Sequence, residues 1–404
     1  MNKNYSNLSI KLTKELNKKQ KKDNGIFFTP INTINIILKY IQKYNKNINE
    51  VLEPSCGSCE FILQLNKKYN NINITAIEYN NIIYNNIKNI ESKNITIYNS
   101  NFLEHKFDKK FNLIIGNPPY YVMKKKDVDK KYYNFFDGRP NIFILFIIKS
   151  LELLEKDGII SFILPKNFLN CSYYDKTRKY INNKYNILDI INCNDNYIET
   201  KQETINIFIE NKSPLNNNLF SIKLNDKYTL FETKDNIIKI KKLYEKSTTL
   251  NKLGFSVNVG NIVWNQNKDI LTNNKKKTLL IYSSDIKNGK LEIQKYSNTE
   301  KKNYIDKPGN TNPLLVINRG YGKGQYKFNY CIINENSTKK YLIENHLICI
   351  KYNNTINNME LIEKYKKIIN SFENKKTNEF IDIYFSNNGI NTNELANLLP
   401  IYGF

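Results

Sequence analysis

Between Gly25 and Glu210 the apolar positions fall into two alternating spacings. Ile34, Ile37, Leu38 and Ile41 recur every three to four residues, which predicts a helix over Ile31 to Tyr44. Short continuous apolar runs end Asn49 to Glu53, Ile72 to Ile77, Ile95 to Tyr98, Phe111 to Gly116 and Ile159 to Leu164. Each is bounded by turn-forming residues and predicts a buried strand. Helical spacing returns between them, at Phe61 to Tyr69, Ile82 to Ile90 and Ile142 to Leu154. Ile187 to Ile191 and Thr204 to Ile209 predict later strands. This β–α alternation implies an α/β fold, a doubly wound and mostly parallel sheet.

The alternation stops near Lys212. Ser213-Pro214 and Asn216-Asn217-Asn218 suggest a linker, and beyond it strand and turn signals become irregular, with turns at Lys287-Asn288-Gly289 and Lys307-Pro308-Gly309. The expected organisation is a basic arm over 1–24, a first domain over 25–218 and a second, mixed and more β-rich domain over 219–404.

Ligands of open α/β sheets bind at the carboxyl ends of the strands. Four such ends carry chemistry here. Glu53-Pro54 precedes Gly57, a residue that lets backbone approach a ligand closely. Glu78 ends the next strand, placed to accept from ribose hydroxyls. Asn101 and Phe102 set an amide beside a ring. Asn117-Pro118-Pro119-Tyr120 follows the fourth strand. Proline fixes φ and removes an N–H, and Pro119 holds Pro118 extended. The Pro118 carbonyl and the Asn117 side-chain oxygen are then two acceptors, and Tyr120 adds a flat apolar face. Such a set suits an exocyclic amine on a planar ring.

The 404 residues have room for two domains. Lys and Arg number 61 against 38 Asp and Glu, a formal charge of +23 that favours a polyanionic partner. An Asn-, Lys- and Ile-rich composition, as AT-rich codons produce, is the competing source of that charge. Six scattered cysteines exclude a disulfide framework, and Cys56-x-x-Cys59 has no nearby second pair to complete a metal site. No apolar signal region opens the chain, and Ile142 to Ile148 is too short to span a bilayer. These features lead to the expectation of a cytoplasmic protein with no membrane partner and no metal, in a bacterium or a viral replication compartment.

With those motifs in view, the chain resembles the S-adenosylmethionine-dependent DNA adenine-N6 methyltransferases. The class concerned is that of type II restriction-modification, with a Rossmann-like catalytic domain first and a target-recognition domain second. The resemblance rests on Gly25-Ile26-Phe27-Phe28-Thr29-Pro30, Val51 to Ser58, Glu78, Asn101-Phe102-Leu103, Asn117 to Tyr120 and Gly158 to Pro165. It covers roughly residues 25–212. It implies S-adenosyl-L-methionine as cofactor, with Thr29 and Pro30 bordering its methionine portion and Glu53 near its ammonium. Gly57 is implied in the glycine-rich loop, Glu78 at the ribose, Tyr79, Asn101 and Phe102 around the adenine, and Asn117 and Pro119 at the reacting end. Asn117, Pro118 and Tyr120 are the implied catalytic residues, and Tyr120 and Tyr197 the aromatic faces for the target base.

Two positions depart from the family. Cys59 replaces a usual glycine, so a Cβ is expected to narrow the cofactor pocket or shift the loop. Asn101 replaces a usual aspartate, a neutral and weaker acceptor, so Asn101→Asp is expected to tighten cofactor binding. The implied partner is double-stranded DNA, with a separate cognate restriction endonuclease as a further one. Lys124 to Tyr133 is either a loop that orders on DNA phosphates or a solvated lysine-rich loop. Trp264 to Lys268 and Asn318 to Gly324 have side chains suited to base edges and phosphates. The motif is also compatible with RNA adenine, cytosine N4 and glutamine methylation, and with a degenerate methyltransferase fold that only binds nucleic acid.

Overall fold

A computed structural model describes residues 4–44, 47–195, 197–198, 200, 202–215, 219–224, 228–320, 326–385 and 389–404. The chain divides into two compact units, Met1–Ile237 and Ile238–Phe404.

In the first unit the helices are α1 (Asn7–Glu15), α2 (Lys18–Asn24), α3 (Ile31–Tyr44), α4 (Glu60–Lys68), α5 (Asn81–Ile87), α6 (Ile142–Leu153) and α7 (Asp175–Lys184). The strands of its main sheet are β1 (Glu50–Glu53), β2 (Asn73–Glu78), β3 (Ile95–Asn99), β4 (Phe111–Gly116), β5 (Leu154–Pro165), β6 (Asn186–Cys193) and β7 (Thr204–Glu210). They form one seven-stranded sheet in the order β3-β2-β1-β4-β5-β7-β6. All pairings are parallel except those of β7 with β5 and β6. The expected doubly wound, mostly parallel sheet is therefore present.

Period-two alternation explains how this sheet is covered on both faces. Leu52, Ile114, Ile160 and Ile207 point into a core built with α6. Their neighbours Val51, Leu113, Ile115, Ile159 and Phe208 point into a second core with α1, α3 and α4. Helix α3 buries Ile34, Ile37, Leu38 and Ile41, the stripe its spacing predicted. Helix α6 is buried along its whole run from Ile142 to Leu151.

Residues 4–24 are not an arm. Ser6 caps α1, its hydroxyl accepting from the Ser9 N–H at 3.1 Å, and Asn17 and Gln20 form a capping box on α2. Leu12 and Leu16 are completely or nearly buried in the core, and the Ser9 hydroxyl bonds Ser58 and Glu60, both at 2.9 Å. The many lysines of this segment masked the Leu12/Leu16 spacing.

The division between units also falls beyond the expected 218/219 boundary, inside the helix Lys234–Tyr244. The linker residues 216–218 lie outside the described residues. The reason the first unit extends past them is Arg178, 1% exposed on α7. Its guanidinium donates to the carbonyls of Phe168, Cys171 and Thr229, and so fastens the hairpin Ser221–Leu224/Tyr228–Phe231.

The second unit contains a four-stranded antiparallel sheet in the order Phe255–Val259, Leu347–Tyr352, Leu314–Asn318, Tyr330–Ile333. A second, mixed sheet joins Leu271–Thr272, Tyr304–Ile305, Thr278–Ile281 and Tyr341–Ile343. Three helices follow, Asn358–Phe372, Lys375–Tyr384 and Thr392–Asn397. The unit is thus mixed and strand-rich, as its irregular turn pattern implied.

Candidate active site

Strands β3, β2, β1 and β4 are neighbours, so their carboxyl ends stand side by side. A cavity of about 310 Å3 opens there. Gly57, Glu78, Tyr79, Asn101, Phe102, Asn117 and Pro119 line it, together with Gly25 to Phe28, Pro54, Ser55 and Tyr121. The four loops singled out by residue type therefore converge on one space.

Gly57 has φ +52°, and its N–H donates to Glu78 Oε2 at 2.9 Å. The Asn80 N–H donates to the other carboxylate oxygen at 2.7 Å. Burial raises the Glu78 pKa to about 7 against the opposing effect of these amides. Glu53 is 2% exposed behind the cavity, and its Oε2 has no hydrogen-bond partner. Burial, reinforced by the nearby Cys59, Glu78 and Glu60, pushes its pKa well above the usual carboxylate range. A buried carboxylate oxygen without a donor is costly. A ligand cation would supply what is missing.

Cys59 adopts φ +62° at the start of α4 and is fully buried, but it does not line the cavity. The expected narrowing of the pocket by its Cβ is therefore absent. Asn101 accepts from the Leu103 N–H at 3.1 Å and donates to Glu104 Oε1 at 2.8 Å.

The Asn117 to Tyr120 loop is held from three sides. Asn117 Nδ2 donates to the Phe27 carbonyl at 3.1 Å and to Thr29 Oγ1 at 3.2 Å, so its oxygen turns the other way. Pro30 is buried at the head of α3, where its carbonyl accepts from Ile34. Gly25, at φ +63°, ends α2 against the loop. A Cβ on it would lie 2.4 Å from the Tyr120 backbone nitrogen. The Tyr120 hydroxyl lies 2.6 Å from Asn117 Oδ1 and 2.8 Å from the Ile163 carbonyl, and its ring meets Phe143 edge-on. Pro118 is buried and Tyr120 half-buried, and neither lines the cavity. Thr29 and Glu53 likewise stand behind its wall rather than in it. Tyr197 is 8% exposed beside a separate polar cavity of about 390 Å3. It is near enough to Tyr120 to raise that hydroxyl's pKa further, after burial.

One positioning group was missed in the sequence. Lys149, 9% exposed, follows the seven apolar residues that open α6 and donates to the carbonyls of Phe102, Leu103 and His105 at 2.6, 3.1 and 2.7 Å. Burial, then Lys131, lowers its pKa to about 8. A single lysine inside Ile142–Leu153 was the available signal. Lys124 to Tyr133 is ordered in two 3-10 turns, with Tyr132 buried. In the second unit Trp264–Gln266 and Lys268–Ile270 form two further turns, where Lys268 pairs with Glu300 at 2.6 Å. Tyr321 to Gly324 lie outside the described residues.

This sheet order, with a cavity across its carboxyl edge walled by a glycine loop, a strand-end acid and an Asn-Pro-Pro-Tyr loop, is the arrangement expected of an S-adenosylmethionine-dependent methyltransferase. Residues 6–198 match the family described as the Eco57I restriction-modification methylase. The chain is 24% identical to the type II methyltransferase M.CvrRI of Paramecium bursaria Chlorella virus XZ-6E, over 99% of each chain. It is 27% identical to the modification methylase CviBIII of Paramecium bursaria Chlorella virus NC1A, over 98% of this chain and 99% of that one. The cryo-electron microscopy structure of a DrdV–DNA complex shares the fold, with TM-score 0.53 and 13% identity over 98% of this chain and 57% of that one. The chain is thus similar over nearly its whole length to type II restriction-modification methyltransferases, with the Eco57I match lying within the first unit. Among the described residues no helix is long and apolar enough to cross a membrane.

Proposed function

We propose that this enzyme transfers a methyl group from S-adenosylmethionine to N6 of a flipped-out adenine in a specific sequence of duplex DNA. The observation that carries the reading is the Asn117 amide. Its nitrogen is committed to Phe27 and Thr29, so its oxygen, which accepts from the Tyr120 hydroxyl at 2.6 Å, is the atom of the amide that can accept from a target amine.

An adenine amine is a weak nucleophile because its lone pair is delocalised into the ring. Asn117 Oδ1 and the Pro118 carbonyl each take one N–H hydrogen and localise that lone pair on nitrogen. The alkylated nitrogen is strongly acidic and releases its proton afterwards, so no general base is needed. The contribution of the protein is positioning and electrostatic complementarity. The residues present fit the cofactor. Glu78 would meet its ribose hydroxyls and Tyr79, Asn101 and Phe102 its adenine, with Gly57 and Pro119 shaping the remainder, while Glu53 would act on its ammonium, and Thr29 and Pro30 on its methionine portion, from behind the cavity wall. When bound, S-adenosylmethionine supplies an electrophilic methyl group on sulfonium.

Extracting a base from the stack costs a few kcal/mol, and stacking on an aromatic ring returns roughly 1–3 kcal/mol. Tyr120 and Tyr197 are the two rings proposed for that role. The second unit and the net charge of +23 supply recognition and phosphate attraction. Incubating the enzyme with labelled S-adenosylmethionine and either unmodified duplex DNA or structured RNA tests the reading. Label in DNA at one short sequence, with binding that weakens steeply as salt rises, supports it. Label in RNA alone overturns it.

A further inference from the structure

We propose that Glu104 determines specificity in the cofactor site. It fixes the Asn101 amide so that the cavity meets an oxygen, and the site thereby selects an amine over a carbonyl on the cofactor's purine. The inference rests on the reading that Asn101 contacts the cofactor adenine.

An asparagine presents an acceptor at one end of its amide and a donor at the other, and its neighbours decide which faces a ligand. The aspartate implied by family resemblance has no such ambiguity. Here two independent partners demand one orientation. The Leu103 N–H, 3.1 Å from Oδ1, can be met only by oxygen. The Glu104 carboxylate, 2.8 Å from Nδ2, can be met only by an N–H. Movement of the loop cannot undo this. The Glu104 and His105 N–H groups both donate to the Asn101 carbonyl, at 3.0 and 2.9 Å, and Lys149 holds three carbonyls of the next four residues. Oδ1 keeps a second lone pair for the cavity that Asn101 lines. The charge on Glu104 also polarises the amide through its N–H, which strengthens the oxygen as an acceptor.

A corollary revises the expectation for Asn101→Asp. That change alone sets a second carboxylate against Glu104, and their repulsion opposes the gain of a charged acceptor. Tighter binding emerges only when Glu104→Gln removes the opposing charge.

The test is calorimetric titration with S-adenosylhomocysteine and with S-inosylhomocysteine, its analogue bearing a carbonyl in place of the amine. Glu104 is exposed, so its substitutions leave the fold intact, which a thermal melt verifies. The wild type prefers the adenine form. Glu104→Lys, which offers only donors, reduces that preference about fivefold or more, whereas Glu104→Gln, which keeps an acceptor, retains most of it. The double variant Asn101→Asp/Glu104→Gln binds S-adenosylhomocysteine more tightly than either single variant. An undiminished preference in Glu104→Lys, with Asn101→Ala weakening S-adenosylhomocysteine, overturns the role of Glu104 alone. If Asn101→Ala changes neither dissociation constant, the placement of the adenine fails, and the inference with it.

Discussion

The two sides of the Asn117–Tyr120 loop are prepared differently. On the side proposed for the cofactor the groups surround an open cavity, with the Gly57 N–H already on Glu78, the Asn101 loop pinned by Lys149, and, behind the wall, an unmet carboxylate oxygen on Glu53. On the side proposed for the target base the groups satisfy one another. The Tyr120 hydroxyl reaches Asn117 Oδ1 and Ile163, and Tyr197 is nearly buried. On the proposed reading, the contrast teaches that the cofactor half is preorganised, whereas the target half must exchange internal bonds for bonds to a base. Cofactor affinity and methyl transfer should therefore respond to different residues.

The largest expected effect is that of Asn117→Ala. Loss of the acceptor lowers the rate of transfer by roughly 10²–10³-fold, as removal of a positioned polar group does. The cofactor dissociation constant moves little, and single-turnover kinetics beside calorimetry separate the two.

Gly25→Ala comes next. A Cβ at 2.4 Å from the Tyr120 nitrogen, on backbone at φ +63°, forces the end of α2 away from the Asn117–Tyr120 loop. Such strain costs about 1–3 kcal/mol, and transfer falls by roughly tenfold or more, measured beside a thermal melt.

Lys149→Met has the reverse signature. The loop bearing Asn101 and Phe102 loses three donors, and cofactor affinity falls about tenfold while the rate at saturating cofactor is kept. Lys149→Arg restores part of the affinity. An equal loss of rate and affinity would erase the division between the two sides.

The pH dependence has a definite sign. The folded pKa of Glu78 is raised to about 7, above its value in the unfolded chain. The folded state therefore holds this proton more firmly, and the contribution of Glu78 to stability declines as pH rises from the unfolded carboxylate range to 7. Ribose hydroxyls need the ionised form, so cofactor affinity declines as pH falls below 7. Melting temperature and affinity should thus move in opposite directions across this window, and Glu78→Gln should flatten both changes.

The smallest effect is that of Tyr120→Phe. Without the hydroxyl, Asn117 Oδ1 loses an internal donor and the ring keeps its stacking face. Cofactor binding is unchanged, stability drops by about 1 kcal/mol, and the KM for DNA shifts by no more than a few fold.

The sheet and its four strand-end loops were legible because buried parallel strands are continuous apolar runs and because glycine, proline and acid residues mark their ends. Helices α1 and α2 were hidden by their many lysines, one of which, Lys21, is buried and turns its ammonium to the Thr13 carbonyl. Helix α7 was missed because its interior bears a buried arginine, Arg178, whose partners are distant carbonyls. The same blindness applies to Lys149. Sequence spacing identifies which groups line a site more readily than it identifies which groups hold the lining still, because the latter act across long separations. It also gave Tyr120 as an open face, whereas the structure shows its hydroxyl engaged.

The central claim is that the Asn117 loop methylates adenine at N6. The direct measurement is to digest duplex DNA methylated by the enzyme to nucleosides and identify the modified species, with Asn117→Ala in parallel. The account predicts N6-methyladenosine in its deoxy form from the wild type and none from the variant. N4-methylated deoxycytidine, or equal label from both proteins, would contradict it.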